Sequence, residues 1–131
     1  FDPEASVDFN GNTGPFIQYT YARIQSLIQK VEGELELHLD LSLVDKEKEI
    51  LKHLSTYPAL VKTAGEQYSP ALVANYLYEL VKIFNSFYQN VSVFGSKDQK
   101  LKSLRLLLCK AVANNIESAS GLLGIDLPDR M

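Results

Sequence analysis

Apolar residues recur at three- and four-residue spacing over three long stretches, and this pattern limits what the chain can fold into more than any other feature. The first stretch holds Phe16, Tyr19, Thr20, Arg23, Ile24, Leu27, Ile28 and Val31. The second holds Leu72, Val73, Tyr76, Leu77, Leu80, Val81, Phe84, Phe87 and Tyr88. The third holds Leu101, Leu104, Leu108, Ala111, Val112, Asn115, Ile116, Ala119 and Leu122. Each set is one face of an α-helix. Residues 34–44 alternate instead, with leucines at 35, 37, 39, 41 and 43, which taken alone is a half-buried strand. No second strand pattern exists to pair with it, and a lone strand leaves its backbone groups unsatisfied. That segment therefore reads as an extended connection laying its leucines on a helical core, with room for a short helical turn. The expected fold is all-α, a bundle of four to five helices.

Local signals place the boundaries. Thr13 or Asn12 can cap the first helix, Pro15 suits its first position, and Gly33 ends it. Asp45 opens a second helix that Pro58 interrupts, and a short helix runs from about Pro58 to Gln67. Ser69-Pro70 repeats the cap-plus-proline device before the long aromatic-rich helix. The last helix runs from about Lys97 to Leu123, and Gly124 stops it. At 131 residues and 46% hydrophobic content the chain supports one domain. Residues 1–13 are polar and aperiodic, so they read as an extended lead-in and 14–131 as the helical domain. The first residue is Phe1 and not Met, which leaves open a piece of a longer protein.

Polar residues interrupt every apolar stretch, so none approaches the ~20 residues of a membrane span. A single cysteine, Cys109, excludes an internal disulfide and suits a reducing compartment, with the cytoplasm as the expected location. Catalytic constellations are missing. His38 and His53 have no Cys or His at ligand spacing, so no metal site is expected. Cys109 lies between leucines without a cationic neighbour in sequence, as a buried inert thiol does. The glycines of GNTG precede a helix, but the Lys and Ser/Thr of a phosphate-binding loop are missing. The fragment is expected to hold no catalytic residue and no cofactor.

Two features remain for binding. The net charge of −3 argues against an indiscriminate polyanion binder, yet Lys97, Lys100, Lys102, Arg105 and Lys110 gather against only Asp98. Such a run is a solvated helix face or a footprint for phosphates. Seven tyrosines and no tryptophan make the aromatic set tyrosine-rich, and most of these rings belong to a core with hydroxyls at the surface. Tyr19, Tyr21, Arg23 and Tyr88 lie on or beside apolar stripes, and exposed rings beside a guanidinium plane suit splayed RNA bases. The same surface would serve a protein-interaction module that docks a partner helix. The residues by themselves rank the two readings equally and leave Tyr21 undecided.

The stretch DFNGNTGPFIQYTYAR (8–23) resembles the segment that joins the catalytic and anticodon-binding domains of arginyl-tRNA synthetases. SPALVANYLYELVKIFNSFYQN (69–90) and LLGIDLPDRM (122–131) resemble the rest of that domain in the same order. The resemblance implies an all-α anticodon-binding domain at the C-terminal end of a class I enzyme that uses ATP, with magnesium, to load arginine onto its tRNA. The H-I-G-H and K-M-S-K signatures of the active site do not occur here. The implied partners are arginine tRNA and the catalytic domain of the same chain, with a monomer as the implied assembly and no membrane contact. Carried over to matching positions, Tyr19, Arg23, Tyr88 and Met131 would form the anticodon pocket. Lys97, Lys100, Lys102 and Arg105 would then contact phosphates. Two departures stand out: Ser92 occupies a position where some members carry tryptophan, and the family's D-A-L-R reads Lys102-Ser103-Leu104-Arg105.

Overall fold

A computed structural model of the chain describes residues 14–31, 33, 35, 42–91, 93 and 98–128. Among the described residues the secondary structure is helical throughout, in five elements: α1 (Gly14–Gln29), α2 (Asp45–Ser55), α3 (Tyr57–Glu66), α4 (Pro70–Asn90) and α5 (Gln99–Leu123). The expected bundle is thus observed. Most of the alternating 34–44 segment, His38 and the expected caps Asn12 and Thr13 lie outside the described residues.

The helix ends follow from local chemistry. Asp98 caps α5, its carboxylate accepting a hydrogen bond from the Lys100 backbone N–H at 2.9 Å. That start falls two residues later than the expected Lys97. Gly124 closes α5 at φ 73°, with its own N–H on Gly121 O and that of Ile125 on Ser120 O, the paired bonds of a Schellman end. Ser69 stands at the cap of α4, but its side chain makes no capping hydrogen bond, so only the proline half of the expected device operates.

The end of α3 departs from the usual choice of residue. Tyr68 N–H donates to Gly65 O and Ser69 N–H to Ala64 O, again a Schellman arrangement, but Tyr68 and not glycine holds the left-handed position at φ 51°. Its side chain is 92% exposed, so no packing offsets the crowding of Cβ. Tyr68→Gly should therefore raise the stability of the fold by about 0.5–1 kcal/mol, after glycine's extra entropy in the unfolded chain is subtracted. A lower thermal midpoint for the glycine variant would contradict this.

α4 is the centre of the bundle and packs against all four other helices. Ile17, Ile24, Ile50, Leu77, Leu80, Phe84, Phe87 and Ile116 are completely buried around it, each contributing about 1.5–3 kcal/mol of transfer free energy. α1 runs alongside α4 in the same direction: the Phe16 ring meets Tyr78 edge-on at 6.5 Å, and further along Thr20 and Arg23 both reach Asn85. α5 returns antiparallel, and the Tyr76 hydroxyl donates to Asn115 Oδ1 at 2.7 Å. α2 also opposes α4, with Lys46 Nζ on Ser86 Oγ at one end and His53 stacked on Tyr76 at the other, ring centroids 4.3 Å apart. The His53 Nε2–H donates to the Tyr76 carbonyl, which fixes the tautomer and gives this histidine a packing role.

Leu122, expected to face inward, is 58% exposed, while the adjacent Leu123 packs against the core. Cys109 is fully buried, and desolvation pushes its thiol up to about 12, which keeps it protonated and inert at neutral pH. The parallel course of α1 and α4 sets Tyr19 and Arg23 beside the C-terminal turns of α4.

Candidate nucleic-acid interface

On the α1 face, a helical turn separates Tyr19 from Arg23, so their side chains share one side. On α4, Asn85 and Tyr88 share a side for the same reason. Where the two helices meet, the Arg23 guanidinium lies against two tyrosine rings, 4.5 Å from the centroid of Tyr88 and 4.7 Å from that of Tyr19. Both contacts are cation–π in character, the planar cation against the negative ring faces. Arg23 also donates through one terminal nitrogen to Asn85 Oδ1 at 2.8 Å and through the other to the Tyr19 hydroxyl at 2.7 Å.

Exposure decides which parts can be reached. Tyr19 is 47% and Tyr88 37% exposed, whereas the neighbouring Tyr21 is buried at 5% with its hydroxyl on the Glu117 carboxylate. Tyr21 is thereby assigned to the core. Tyr19, Arg23 and Tyr88 form one wall of an open groove of about 490 Å³, lined also by Ala22, Ser26, Leu27, Gln29 and Lys30. Apolar ring surface, guanidinium N–H groups and an ammonium therefore face one concave space. Such a lining suits a planar, acceptor-rich group on an anionic backbone, as an unstacked base is. The exposed parts of Tyr19 and Tyr88 present ring surface on which a planar group can stack, and Arg23 carries hydrogen-bond donors beside them.

The basic stretch is divided by burial. Lys100 is exposed and Lys102 half-buried on the first turns of α5, while Lys97 lies outside the described residues. Arg105 is placed differently. It is buried, and its Nε donates to Glu47 Oε2 at 3.3 Å, while Glu47 is completely buried and its Oε1 accepts from the Val44 backbone N–H at 2.9 Å. Burial and the pairing with an interior carboxylate place Arg105 in the packing of α5 on α2. Met131 lies outside the described residues. Asp126, the fifth residue before it, meets α1, its carbonyl accepting from the Gln18 amide at 2.8 Å.

Two contributors do not stand out in the sequence as site residues. Lys30 carries no signal beyond a charge at a helix end. Asn85 does carry one: an amide within the apolar stripe of α4, three residues before Tyr88. Among the described residues no group of three or more His, Cys, Asp and Glu side chains is placed to hold a metal ion, and no helix is long and apolar enough to cross a membrane.

Known proteins share this sequence and architecture. Residues 17–131 match the family model described as the DALR anticodon binding domain. The chain is 53% identical over its whole length to an arginine–tRNA ligase of Flavobacterium psychrophilum, of which it covers 22%, and 46% identical to that of Porphyromonas gingivalis, of which it covers 23%. Among solved structures it is similar to Thermus thermophilus arginyl-tRNA synthetase, with a TM-score of 0.86 at 27% identity over all of this chain and 23% of that one. The arginyl-tRNA synthetase of Plasmodium falciparum superposes with a TM-score of 0.78 at 26% identity, again over all of this chain and 23% of that one. The chain thus spans somewhat over a fifth of the length of these relatives.

Proposed function

The chain belongs to the DALR anticodon binding domain family, and on that premise we propose that it is the tRNA-gripping end of an arginine–tRNA ligase. In this reading residues 14–131 form the anticodon-binding domain and residues 1–13 lead in from a catalytic domain of the same chain. The catalytic domain binds ATP and magnesium and joins arginine to the tRNA, in the cytoplasm and as a monomer. Nothing in residues 14–131 takes part in that chemistry. This end supplies grip and discrimination.

Tyr19, Arg23 and Tyr88 contact unstacked anticodon-loop bases, and Met131 closes the pocket with an adaptable thioether. Lys97, Lys100 and Lys102 contact phosphates of the stem and loop. The observation that carries the reading is the Arg23 guanidinium in contact with two partly exposed tyrosines at the wall of an open groove. The chain's overall acidity supports a local footprint in preference to broad phosphate binding.

Titrating the chain with arginine tRNA and with the same tRNA carrying an altered anticodon tests this. Tighter binding of the unaltered tRNA is expected. Equal binding of both, or of neither, would contradict the reading, and a surface built for docking a protein helix gives that result. Neutralising Lys100 and Lys102 together should lower affinity for both tRNAs and make its salt dependence shallower, by roughly 0.7–0.9 in log–log slope for each phosphate no longer neutralised. An unaltered slope would remove these lysines from the interface.

A further inference from the structure

We propose that Asn85 is a positioning residue for the RNA-reading face, fixing the Arg23 guanidinium in place before any RNA arrives. The inference rests on the reading of this face as an anticodon-loop contact, and it adds a residue that does not itself line the groove.

Donors and acceptors decide how the amide is oriented. Asn85 Nδ2 donates to the Val81 carbonyl at 2.8 Å and to Thr20 Oγ1 at 2.9 Å. A carbonyl can only accept, so the amide nitrogen must face Val81, and the amide oxygen must face the other way. That oxygen accepts from Arg23 at 2.8 Å. The opposite rotamer would set an NH₂ against a guanidinium and an oxygen against a carbonyl, losing two hydrogen bonds and creating two repulsions. Thr20, the other anchor, is completely buried on α1, so Asn85 ties the two helices together at the level where Arg23 leaves α1.

Arg23 needs such a tether. Its other hydrogen bond is to the hydroxyl of Tyr19, an exposed side chain on the same helix that gives no link to α4. A long side chain held in one orientation beforehand loses less freedom on binding. Asn85 thus acts through Arg23 and not on the RNA.

The test combines a readout without RNA and one with it, on the chain as it stands. In nuclear magnetic resonance spectra of the unliganded protein, the Arg23 guanidinium is expected to show hindered rotation. Asn85→Ala and the volume-matched Asn85→Leu should release it. With arginine tRNA, Asn85→Ala should lose about tenfold in affinity, the scale of one hydrogen bond to a charged group. In an Arg23→Ala background the same change should lose nothing further. Hindered rotation that persists in both Asn85→Ala and Asn85→Leu overturns the positioning role whatever RNA does. So does a loss that adds fully to that of Arg23→Ala. If Arg23→Ala binds tRNA as the parent does, the RNA reading of the face fails and this proposal falls with it; freed rotation would then show that Asn85 holds Arg23 for packing only.

Discussion

Arg105→Ala should destabilise the fold by about 3–5 kcal/mol, the cost of leaving one member of a buried ion pair without the other. Glu47 is wholly buried and Arg105 nearly so. Removing the guanidinium leaves a carboxylate in the interior held by the Val44 N–H, where little water can reach it. The double change Glu47→Leu with Arg105→Met should recover most of the loss, because an apolar pair of similar volume carries no desolvation penalty. Urea unfolding of the three variants checks this through their midpoints. An Arg105→Ala midpoint equal to that of the parent would contradict the assignment of Arg105 to the interior. The double variant should also bind tRNA with an unchanged salt slope, which separates Arg105 from Lys100 and Lys102.

The second large effect concerns binding. Arg23→Ala and Tyr88→Ala should each weaken the interaction with arginine tRNA by about ten- to a hundredfold. Hydrogen bonds from a charged group are worth about 1.5–3 kcal/mol and stacking of a base on an aromatic ring about 1–3 kcal/mol. The two losses should not add. The two side chains are in direct contact, so the double variant should fall short of the product of the single effects. Both side chains are at least partly exposed, so the variants should stay folded, and thermal unfolding alongside the titration checks that they do. Wild-type affinity in a folded Arg23→Ala variant would remove Arg23 from the interface.

The helices, their order and the pairing of Tyr19 with Arg23 are legible in the sequence because they depend on spacing along one element. The partners that complete the site are not, since they depend on which helix lies beside which. Tyr21 stays undecided in the sequence because its partner, Glu117, is 96 residues away on α5. Tyr88 is tied to Arg23 through the resemblance to a family and not through any spacing. Arg105 misleads for a different reason. By charge alone it is one more cation in the run from Lys97 to Lys110. Its helical position carries the contrary signal: Arg105, Cys109, Val112 and Ile116 follow one another at three- and four-residue spacing, and all four are buried. A charge on the buried stripe of a helix requires a buried partner of opposite sign, and Glu47 is that partner.

Asn85 follows the same rule on α4. Its amide lies between the completely buried Phe84 and the half-buried Ser86, one turn beyond Val81, and a polar group so placed must find partners inside the bundle. Those partners turn out to be Thr20, Val81 and Arg23, which join the packing of α1 on α4 to the geometry of the groove.

Chemical footprinting of arginine tRNA, free and bound to the chain, tests the central claim most directly by reading base edges in the anticodon loop one at a time. Tyr19, Arg23 and Tyr88 should protect anticodon-loop base edges, and the Arg23→Ala variant, at a concentration that still saturates the tRNA, should leave those edges exposed while phosphate protection persists. Protection confined to the stem, or an anticodon-loop pattern identical for the parent chain and the Arg23→Ala variant, would contradict the account.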